Sequence, residues 1–262
     1  MENPGKYLHD MRATAPLVHN ITNYVAMNVM ANVLLAVGAS PAMAHARAEM
    51  DEFAGFSQAL SVNIGTLDPD WVGAMELAAR AMNAAGKPWV LDPVAVGATA
   101  LRRDAGARLL ALGPTIIRGN ASEIMALAGA GASGRGADSG DAVERAEGAA
   151  RDLARQGDCV VAVTGPVDFI TDGTAGWRVA NGDAMMPLIT ALGCSLSGVV
   201  AAFAVDQPPL EAAVAALAFY GLAGEIAAQT SQGPGTFQPA FLDALHNMTP
   251  ERLNDGARIS AA

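Results

Sequence analysis

Four short apolar runs, each ending in polar or turn-forming residues, constrain the fold of this chain more than any other sequence feature. They are rich in β-formers and alternate with longer Ala-rich stretches of helical period. Such alternation is typical of repeated strand–helix units on a mainly parallel sheet, and it predicts an α/β fold. The predicted strands are Ala59–Ile64, Trp89–Leu91, Thr115–Ile117 and Val160–Val163.

The stretches between these strands carry the helical pattern. The predicted helices are Asn23–Val37, Pro69–Ala85, Ser122–Ala128, Gly140–Gln156, Ser195–Ala204 and Leu210–Ala228. Gly129–Gly140, rich in Gly, Ala and Ser, indicates a surface loop. A strand pair is predicted over Asp168–Thr171 and Trp177–Ala180 around a Gly-containing turn. Because no linker or repeat divides the chain, we expect one domain over residues 1–262.

Composition excludes several classes of partner. Hydrophobic residues make up 52% and charged residues 16% of the chain, which predicts a large core or a buried subunit interface. A net charge of -10 argues against binding to nucleic acid or to an anionic membrane. We expect no spanning helix, because Gly, Pro or charged residues interrupt every apolar run before about 20 residues. The N-terminus lacks a signal peptide, so we expect a soluble, cytoplasmic protein.

Candidate site residues follow the predicted strands, since ligands of α/β sheets bind beyond the carboxyl ends of the strands. Asp92 can reach magnesium directly or through water, or it can cap a turn. Arg118 can clamp phosphate oxygens, or form a surface ion pair. Glu123 completes a capping box with Asn120 and can also share a metal with Asp92. Thr164 offers a hydroxyl beside a flexible Gly, a pattern that simple turn chemistry also explains.

A second candidate is the segment from Thr190 to Ser195, which leads into a helix of small residues. The N-terminus of a helix presents unpaired N–H groups and positive dipole charge, so it can hold a phosphoryl group. The alternative is a tight turn in which Cys194 is a small buried hydrophobe. The sequence has neither a P-loop nor a nucleophile elbow, which argues against a P-loop nucleotide site and a serine hydrolase. A cysteine hydrolase using Cys194 lacks an identifiable His partner.

Several blocks, in order along nearly the whole chain, resemble the hydroxyethylthiazole kinase family. These blocks are His19–Asn28, Gly38–Ala44, Leu91–Ala98, Ile117–Ile124, Val163–Gly165 and Gly233–Phe237. The resemblance implies a ribokinase-like three-layer sandwich with a central, mostly parallel sheet flanked by helices. It implies transfer of the ATP γ-phosphate to the hydroxyethyl group of 4-methyl-5-(2-hydroxyethyl)thiazole, in thiamine biosynthesis or salvage. It also implies a homotrimer with thiazole sites between subunits.

The resemblance also assigns roles to single residues by position. Arg118 and Thr164 match ATP-binding residues, and Asp92 and Glu123 match acidic residues near Mg²⁺. The residues implied to contact the thiazole are Met43, Asn23 and, through the anion loop, Ala191. Related ribokinase-like enzymes generally carry Asp at the position of Cys194, which implies that Cys194 assists proton removal. The dipole of the following helix should favour its thiolate, against the opposing charge of the ATP phosphates.

The anion loop, which includes Leu192 and Gly193, departs from the family pattern. Family members usually carry Gly at the positions of both Ala191 and Gly193, and a residue smaller than Leu192 between them. Because Ala reaches some glycine conformations only with strain, we expect the anion loop to differ from that of the family in shape or in catalytic competence. The alternatives are therefore a hydroxymethylpyrimidine kinase, an ATP-dependent dehydratase for hydrated nicotinamide cofactors, or a catalytically weak thiazole-binding protein. The first two usually carry Asp where this chain has Cys194.

Overall fold

Nine strands form one sheet in the computed structural model of the protein, which describes residues 1–129 and 139–262. The strands are β1 (Leu17–Ile21), β2 (Ser40–Ala42), β3 (Ala59–Asn63), β4 (Trp89–Asp92), β5 (Ile116–Asn120), β6 (Val160–Thr164), β7 (Asp168–Thr171), β8 (Gly176–Val179) and β9 (Ile259–Ala261). Their order in the sheet is β2-β1-β3-β4-β5-β6-β7-β8-β9. All pairings from β2 to β6 are parallel, and those from β6 to β9 are antiparallel. The predicted mostly parallel sheet is thus confirmed.

Helices cover both faces of the sheet. The α-helices of the described residues are α1 (Pro4–Thr14), α2 (Met27–Val37), α3 (Met50–Phe56), α4 (Pro69–Ala84), α5 (Ala100–Leu110), α6 (Ala121–Leu127), α7 (Ser139–Gly157), α8 (Leu192–Phe203), α9 (Pro209–Thr230), α10 (Pro234–Asn247) and α11 (Pro250–Gly256). Short 3-10 turns lie at Arg47–Glu49 and Met186–Leu188.

Two hydrophobic cores, one on each face of the sheet, make the molecule a three-layer sandwich. One core contains side chains of α1, α2 and α8–α11, and the other contains those of α3–α7. Neighbouring strand residues alternate between the cores, as Val90 and Leu91 do, because successive side chains of a strand point to opposite faces. Burial on both faces explains why the parallel strands appear in the sequence as continuous apolar runs. The predicted three-layer architecture is confirmed.

The N-terminal segment differs from its prediction. The helix predicted to start at Asn23 begins at Met27, because the Asn23 side-chain oxygen accepts the N–H of Ala26 at 3.0 Å and holds a turn before the helix. The preceding residues form β1, which was not predicted because polar His19 and Asn20 interrupt its apolar pattern. Both side chains are buried. The predicted loop over residues 129–140 lies mostly outside the described residues, and α7 begins at Ser139.

Helix α9 overturns the expectation that no stretch reaches the length of a membrane span. Among the described residues it is the one helix that is long and apolar enough, with 22 residues and a mean hydropathy of 1.5 over its most apolar 18-residue window. However, 83% of that window is buried inside the protein. It packs against α8, α10 and α1, as expected for the central helix of a core.

Candidate active site at the carboxyl edge of the sheet

The carboxyl ends of β3 to β6 bring the predicted site residues together. Asp92 ends β4 and Thr164 ends β6, while Arg118 lies within β5 between them. In the sheet register Asn63 pairs with Asp92, and Asn120 pairs with Thr164. The N-terminus of α8 faces this edge, because Arg118 contacts its first turn. The parallel topology thus places four strand ends and one helix start at one site, as ligand sites of α/β sheets require.

The carboxyl group of Asp92 is fully buried at the centre of the site. Its Oδ2 accepts hydrogen bonds from Asn63 Nδ2 at 2.7 Å and Ser197 Oγ at 2.9 Å, and lies 3.7 Å from Arg118 Nη1. Burial raises the pKa of Asp92 to about 6, although the positive charge of Arg118 opposes the shift. Among the described residues Oδ1 has no hydrogen-bond partner. An unpartnered buried carboxylate oxygen is costly, so Oδ1 is suited to an external ligand.

The guanidinium of Arg118 joins three elements of the site. Its Nη2 donates to Thr164 Oγ1 at 2.7 Å, and its Nη1 donates to the carbonyl oxygen of Gly193 at 3.0 Å. The side chain is 11% exposed, so the alternative of a surface ion pair is wrong. A Cβ at Gly193 would lie 3.4 Å from both terminal nitrogens, in van der Waals contact with them, so the guanidinium packs directly against this residue. Arg118 is therefore held at the start of α8 with its charge directed into the site.

The anion loop forms a helix N-terminus despite its unusual sequence. Ala191 caps α8 in the left-handed conformation, with φ 65° and ψ 1°, so the strain expected for Ala is present at this position. Leu192 is buried in the core, where its bulk does not fill the loop. Its carbonyl oxygen accepts a hydrogen bond from Tyr220 Oη at 2.8 Å. Because Ser195 N bonds to Ala191 O, the N–H groups before it face the open end of α8, where an anion can bind.

Cys194 lies in the first turn of α8 and is partly buried. Its Sγ accepts a hydrogen bond from Asn23 Nδ2 at 3.3 Å. Burial raises the pKa of the Cys194 thiol, the negative charge of Asp92 adds to the shift, and the bond from Asn23 opposes it. Desolvation thus opposes the stabilisation of the thiolate that is expected from the dipole of α8.

Glu123 performs the predicted capping role. Its Oε2 accepts the N–H of Asn120 at 2.8 Å, and Asn120 Oδ1 accepts the N–H of Glu123, which completes the capping box. Its Oε1 accepts the N–H of Ala95 at 3.0 Å, so the carboxylate also joins the loop after β4 to α6. The negative charge of Glu123 helps to raise the pKa of Asp92, so the two carboxylates interact electrostatically.

The carboxylates fit a hard cation that retains water. Asp92 Oδ1 offers a free oxygen, whereas both oxygens of Glu123 already accept backbone N–H groups. Within residues 1–129 and 139–262, no group of three or more His, Cys, Asp and Glu side chains could hold a metal. Mg²⁺ commonly takes one or two protein carboxylates and completes its octahedron with water and phosphate oxygens, which this donor set allows.

Met43 lies away from this cluster. It follows β2, which is separated from β4 by β1 and β3, a distance of about 14 Å between strand axes at the usual strand spacing. Its half-buried side chain packs against the core that contains α2 and α8. Of the residues expected to contact the thiazole, Asn23 and Ala191 are therefore at the cluster, and Met43 is at the edge of the sheet.

Three further polar side chains belong to the site but were not singled out in the sequence. Asn63 and Ser197 hold the Asp92 carboxylate. Asp168 is 8% exposed, accepts the N–H of Gly165 at 2.9 Å, and has a pKa raised to about 6 by burial. The sequence does contain a pattern that points to Asn63, because a polar residue at the end of a fully buried strand needs a hydrogen-bond partner inside the protein.

Comparison with known proteins gives one consistent result. The profile of the Hydroxyethylthiazole kinase family matches residues 8–251. A hydroxyethylthiazole kinase of Cereibacter sphaeroides is 65% identical over 262 residues and covers 100% of both chains. One from Rhizobium leguminosarum bv. trifolii is 61% identical over 261 residues, covering 99% of this chain and 98% of the relative.

The solved structures agree with the sequence relatives. A hydroxyethylthiazole kinase structure from Pyrococcus horikoshii is 37% identical, with a TM-score of 0.92 over 99% of this chain and 98% of that chain. A pyridoxal kinase from Staphylococcus aureus has a TM-score of 0.67 at 15% identity over 95% of this chain and 98% of that one, which shows a shared fold alone. The fold is thus the predicted ribokinase-like sandwich. On sequence and structure together, the chain belongs to the hydroxyethylthiazole kinase family.

Proposed function

We propose that this protein transfers the γ-phosphate of ATP to the hydroxyethyl group of 4-methyl-5-(2-hydroxyethyl)thiazole, as a step of thiamine biosynthesis or salvage. The observation that carries the proposal is the convergence of the Arg118 guanidinium, the free Oδ1 of Asp92 and the open N-terminus of α8. Phosphoryl transfer passes through a loose transition state, for which positioning and charge stabilisation supply most of the acceleration. These groups provide both.

Arg118 and Thr164 bind the ATP phosphates in this proposal. The guanidinium is already oriented by Thr164 Oγ1 and by the carbonyl oxygen of Gly193, so little side-chain entropy is lost when a phosphate oxygen binds. The N–H groups at the start of α8, including that of Gly193, donate hydrogen bonds that stabilise the negative charge developing on the transferred group. Pre-oriented donors of this kind do not have to reorganise during the reaction.

Asp92 and Glu123 are proposed to hold Mg²⁺. The ion, when bound, neutralises the charge of the ATP phosphates. Asp92 contributes Oδ1, which Asn63 and Ser197 leave free by bonding to Oδ2. Glu123, with both oxygens held by backbone N–H groups, interacts with the hydrated ion through its charge or through water.

Cys194 is proposed to assist removal of the hydroxyl proton. Its sulfur already accepts a hydrogen bond from Asn23, which fixes the position of the sulfur in the site. Because burial raises the pKa of the thiol, the thiolate is the minor form in the resting enzyme. A loose transition state leaves the nucleophilic hydroxyl protonated until late, so this small population of thiolate suffices for an assisting role.

Oligomerisation into a homotrimer, with thiazole sites between subunits, is the fourth part of the proposal. Tyr24 and Val25, in the turn beside the site residue Asn23, are 61% and 59% exposed, and Leu35 on α2 is 60% exposed. Large apolar side chains this exposed favour burial against another subunit. Such an interface would bring a second chain toward Asn23 and Met43. We also propose a cytoplasmic location, where ATP is available.

The test is a phosphorylation assay with mass detection of the product. Purified protein is incubated with ATP, Mg²⁺ and one of three alcohols, namely the thiazole, hydroxymethylpyrimidine or pyridoxal. We expect thiazole phosphate to dominate, and Asp92→Asn or chelation to lower turnover much more than stability. Preferred phosphorylation of another alcohol, or thiazole binding without ATP consumption, would contradict the proposal. A fully active monomer in light scattering would contradict the trimer.

A further inference from the structure

The carboxamide of Asn63 is the central link between two proposed catalytic groups. This side chain is fully buried at the end of β3. Its Oδ1 accepts the N–H of Gly65 at 2.9 Å, and its Nδ2 donates to Asp92 Oδ2 at 2.7 Å. A backbone N–H can only donate, so the atom facing Gly65 must be the oxygen, and the atom facing Asp92 must be the nitrogen. The orientation of the amide is therefore fixed.

Asn23 continues the link from Asn63 to Cys194. The Oδ1 of Asn23 accepts the N–H of Ala26 at 3.0 Å, which again requires the nitrogen to lie on the other side. Its Nδ2 donates to Asn63 Oδ1 at 2.8 Å and to Cys194 Sγ at 3.3 Å. These are the two donors that an amide nitrogen possesses. A directional chain of hydrogen bonds thus connects Cys194, Asn23, Asn63 and Asp92.

The surroundings of this chain hold it rigidly. A Cβ at Gly65 would lie 2.7 Å from Asn23 Nδ2, so the loop after β3 packs directly against Asn23. Arg102 donates to the carbonyl oxygens of Ile64 at 2.5 Å and Gly65 at 2.6 Å, and to that of Val94 at 2.9 Å. The loops after β3 and β4 are thereby fixed to each other.

We propose that Asn63 is a positioning residue for phosphoryl transfer, which sets the placement of the Asp92 carboxylate relative to the Cys194 sulfur. It holds Oδ2 of Asp92 so that Oδ1 stays free, and it turns Asn23 so that one N–H reaches Cys194. This inference rests on the proposed function, because it assumes that Asp92 and Cys194 act in the same reaction. Asn63 itself lies behind them and acts through both.

Two substitutions separate the two contacts of Asn63. Asn63→Leu has a similar shape and removes both contacts. Asn63→Asp keeps the oxygen that faces Asn23 and Gly65, and in alkaline solution, where the two adjacent carboxyls no longer share a proton, it replaces the donor to Asp92 with a like charge. The matched control is Ser61→Ala, since Ser61 is fully buried on the same face of β3 and its hydroxyl has no partner among the described residues. It tests removal of a buried polar group that is outside the chain of hydrogen bonds.

We expect both Asn63 variants to lower kcat by about 10- to 100-fold, as is typical when the support of a catalytic group is lost. In Asn63→Asp, which keeps the contact with Asn23, the KM values for ATP and thiazole should change less than about threefold, because the effect of a misplaced group falls on kcat. In Asn63→Leu the KM for thiazole should also rise, because Asn23, a proposed thiazole contact, is released. Ser61→Ala should keep the wild-type kcat. Unchanged kcat in a folded Asn63→Asp or Asn63→Leu protein would overturn the proposal.

A double-mutant cycle with Asn23→Ala distinguishes positioning from general destabilisation. If Asn63 acts partly through Asn23, Asn63→Leu should cost less in kcat when Asn23 is already Ala. Additive effects on kcat would contradict that route. Should Asn63→Leu fail to fold, Asn63→Asp still tests the contact with Asp92, since it leaves the contact with Asn23 in place.

Crystal structures of the variants give a readout that does not depend on turnover. In Asn63→Leu we expect Asn23 Nδ2 to move beyond hydrogen-bond distance of Cys194 Sγ, while Ser61→Ala keeps the contact. Retention of the contact between Asn23 and Cys194 in Asn63→Leu would overturn the inference whatever the kcat of that variant. A wild-type protein that does not phosphorylate the thiazole would instead overturn the proposed function and leave the structural result interpretable.

Discussion

Arg118 donates from Nη1 to the carbonyl oxygen of Gly193, 3.0 Å away, and so ties strand β5 to the first turn of helix α8. The same guanidinium donates from Nη2 to Thr164 on β6. One planar cation thus sets the distance between two strands and the anion-binding end of a helix. Lys cannot replace it, because a single ammonium group lacks the fixed fork that reaches both partners.

Substitution of Arg118 should therefore impair both ATP binding and turnover. We expect Arg118→Lys to raise the KM for ATP and lower kcat, with a loss in kcat/KM of roughly 10- to 100-fold, the range for one charged hydrogen bond. Steady-state kinetics with varied ATP measures the change. Arg103→Ala is the control, since Arg103 is an exposed residue that donates to Gly97 O beyond β4. Equal losses in both variants would contradict a specific role for Arg118.

The left-handed Ala191 should be a source of strain that Gly relieves. An L-residue with a Cβ is disfavoured by about 1 to 2 kcal/mol in this conformation, and Gly loses part of this advantage through its larger unfolded-state entropy. Ala191→Gly should therefore stabilise the protein by about 0.5 to 1 kcal/mol. Ala107→Gly, at an exposed position inside α5, should destabilise it by a similar amount. Urea unfolding measures the change in the free energy of unfolding for both variants. An Ala191→Gly protein less stable than the wild type would contradict the prediction that Ala191 is strained.

The sequence predicted which strands form the site better than it predicted which side chains are hydrogen-bonded to each other there. The ends of β4, β5 and β6 follow from apolar runs, and their alignment follows from the parallel topology, so Arg118 and Thr164 could be placed together. The bond from Ser197 to Asp92 joins residues 105 apart in the chain, and that from Asn63 joins residues 29 apart. Such pairs depend on strand order and helix placement, which local patterns do not contain.

Asp168 should give the protein a distinctive dependence of stability on pH. Its pKa is raised from 3.8 to about 6 by burial, so between these values the folded protein binds a proton that the unfolded chain does not. The contribution of this group to the free energy of unfolding is thus largest in acid and is lost as pH rises from about 4 to 6. The full change is at most about 3 kcal/mol.

Asp168→Asn removes this titration while keeping an oxygen that accepts the N–H of Gly165. We expect the wild type to gain stability relative to the variant as pH falls from about 6.5 to 4.5. Urea unfolding at several pH values measures the difference in free energy of unfolding between the two proteins. Groups that titrate equally in both proteins do not contribute to this difference. A difference that is constant, or that moves in favour of the variant in acid, would contradict the raised pKa.

Substitution of Cys194 tests whether its sulfur takes part in proton transfer or only fills space. Cys194→Ala should lower kcat by about 10²-fold, the lower range for one general base, because positioning by Arg118 and the helix N-terminus remains. Cys194→Asp supplies the carboxylate of the related kinases and should retain substantial activity, since a carboxylate also suits the start of a helix. Cys159→Ala is the control, because Cys159 is buried in the opposite core and has no role in the site.

The pH dependence of turnover gives a second readout for Cys194. Since burial raises the pKa of the thiol, the fraction of thiolate in the wild type continues to grow as the solution becomes alkaline, and kcat should rise with it. In Cys194→Asp the base is already ionised at neutral pH, so this alkaline rise should be absent. It should also be absent in Cys194→Ala, which has no base at this position, and should persist in Cys159→Ala. If Cys194→Ala kept both the wild-type kcat and the alkaline rise, while folded Cys194→Asp lost turnover, the residue would be a packing group and the base assignment would be wrong.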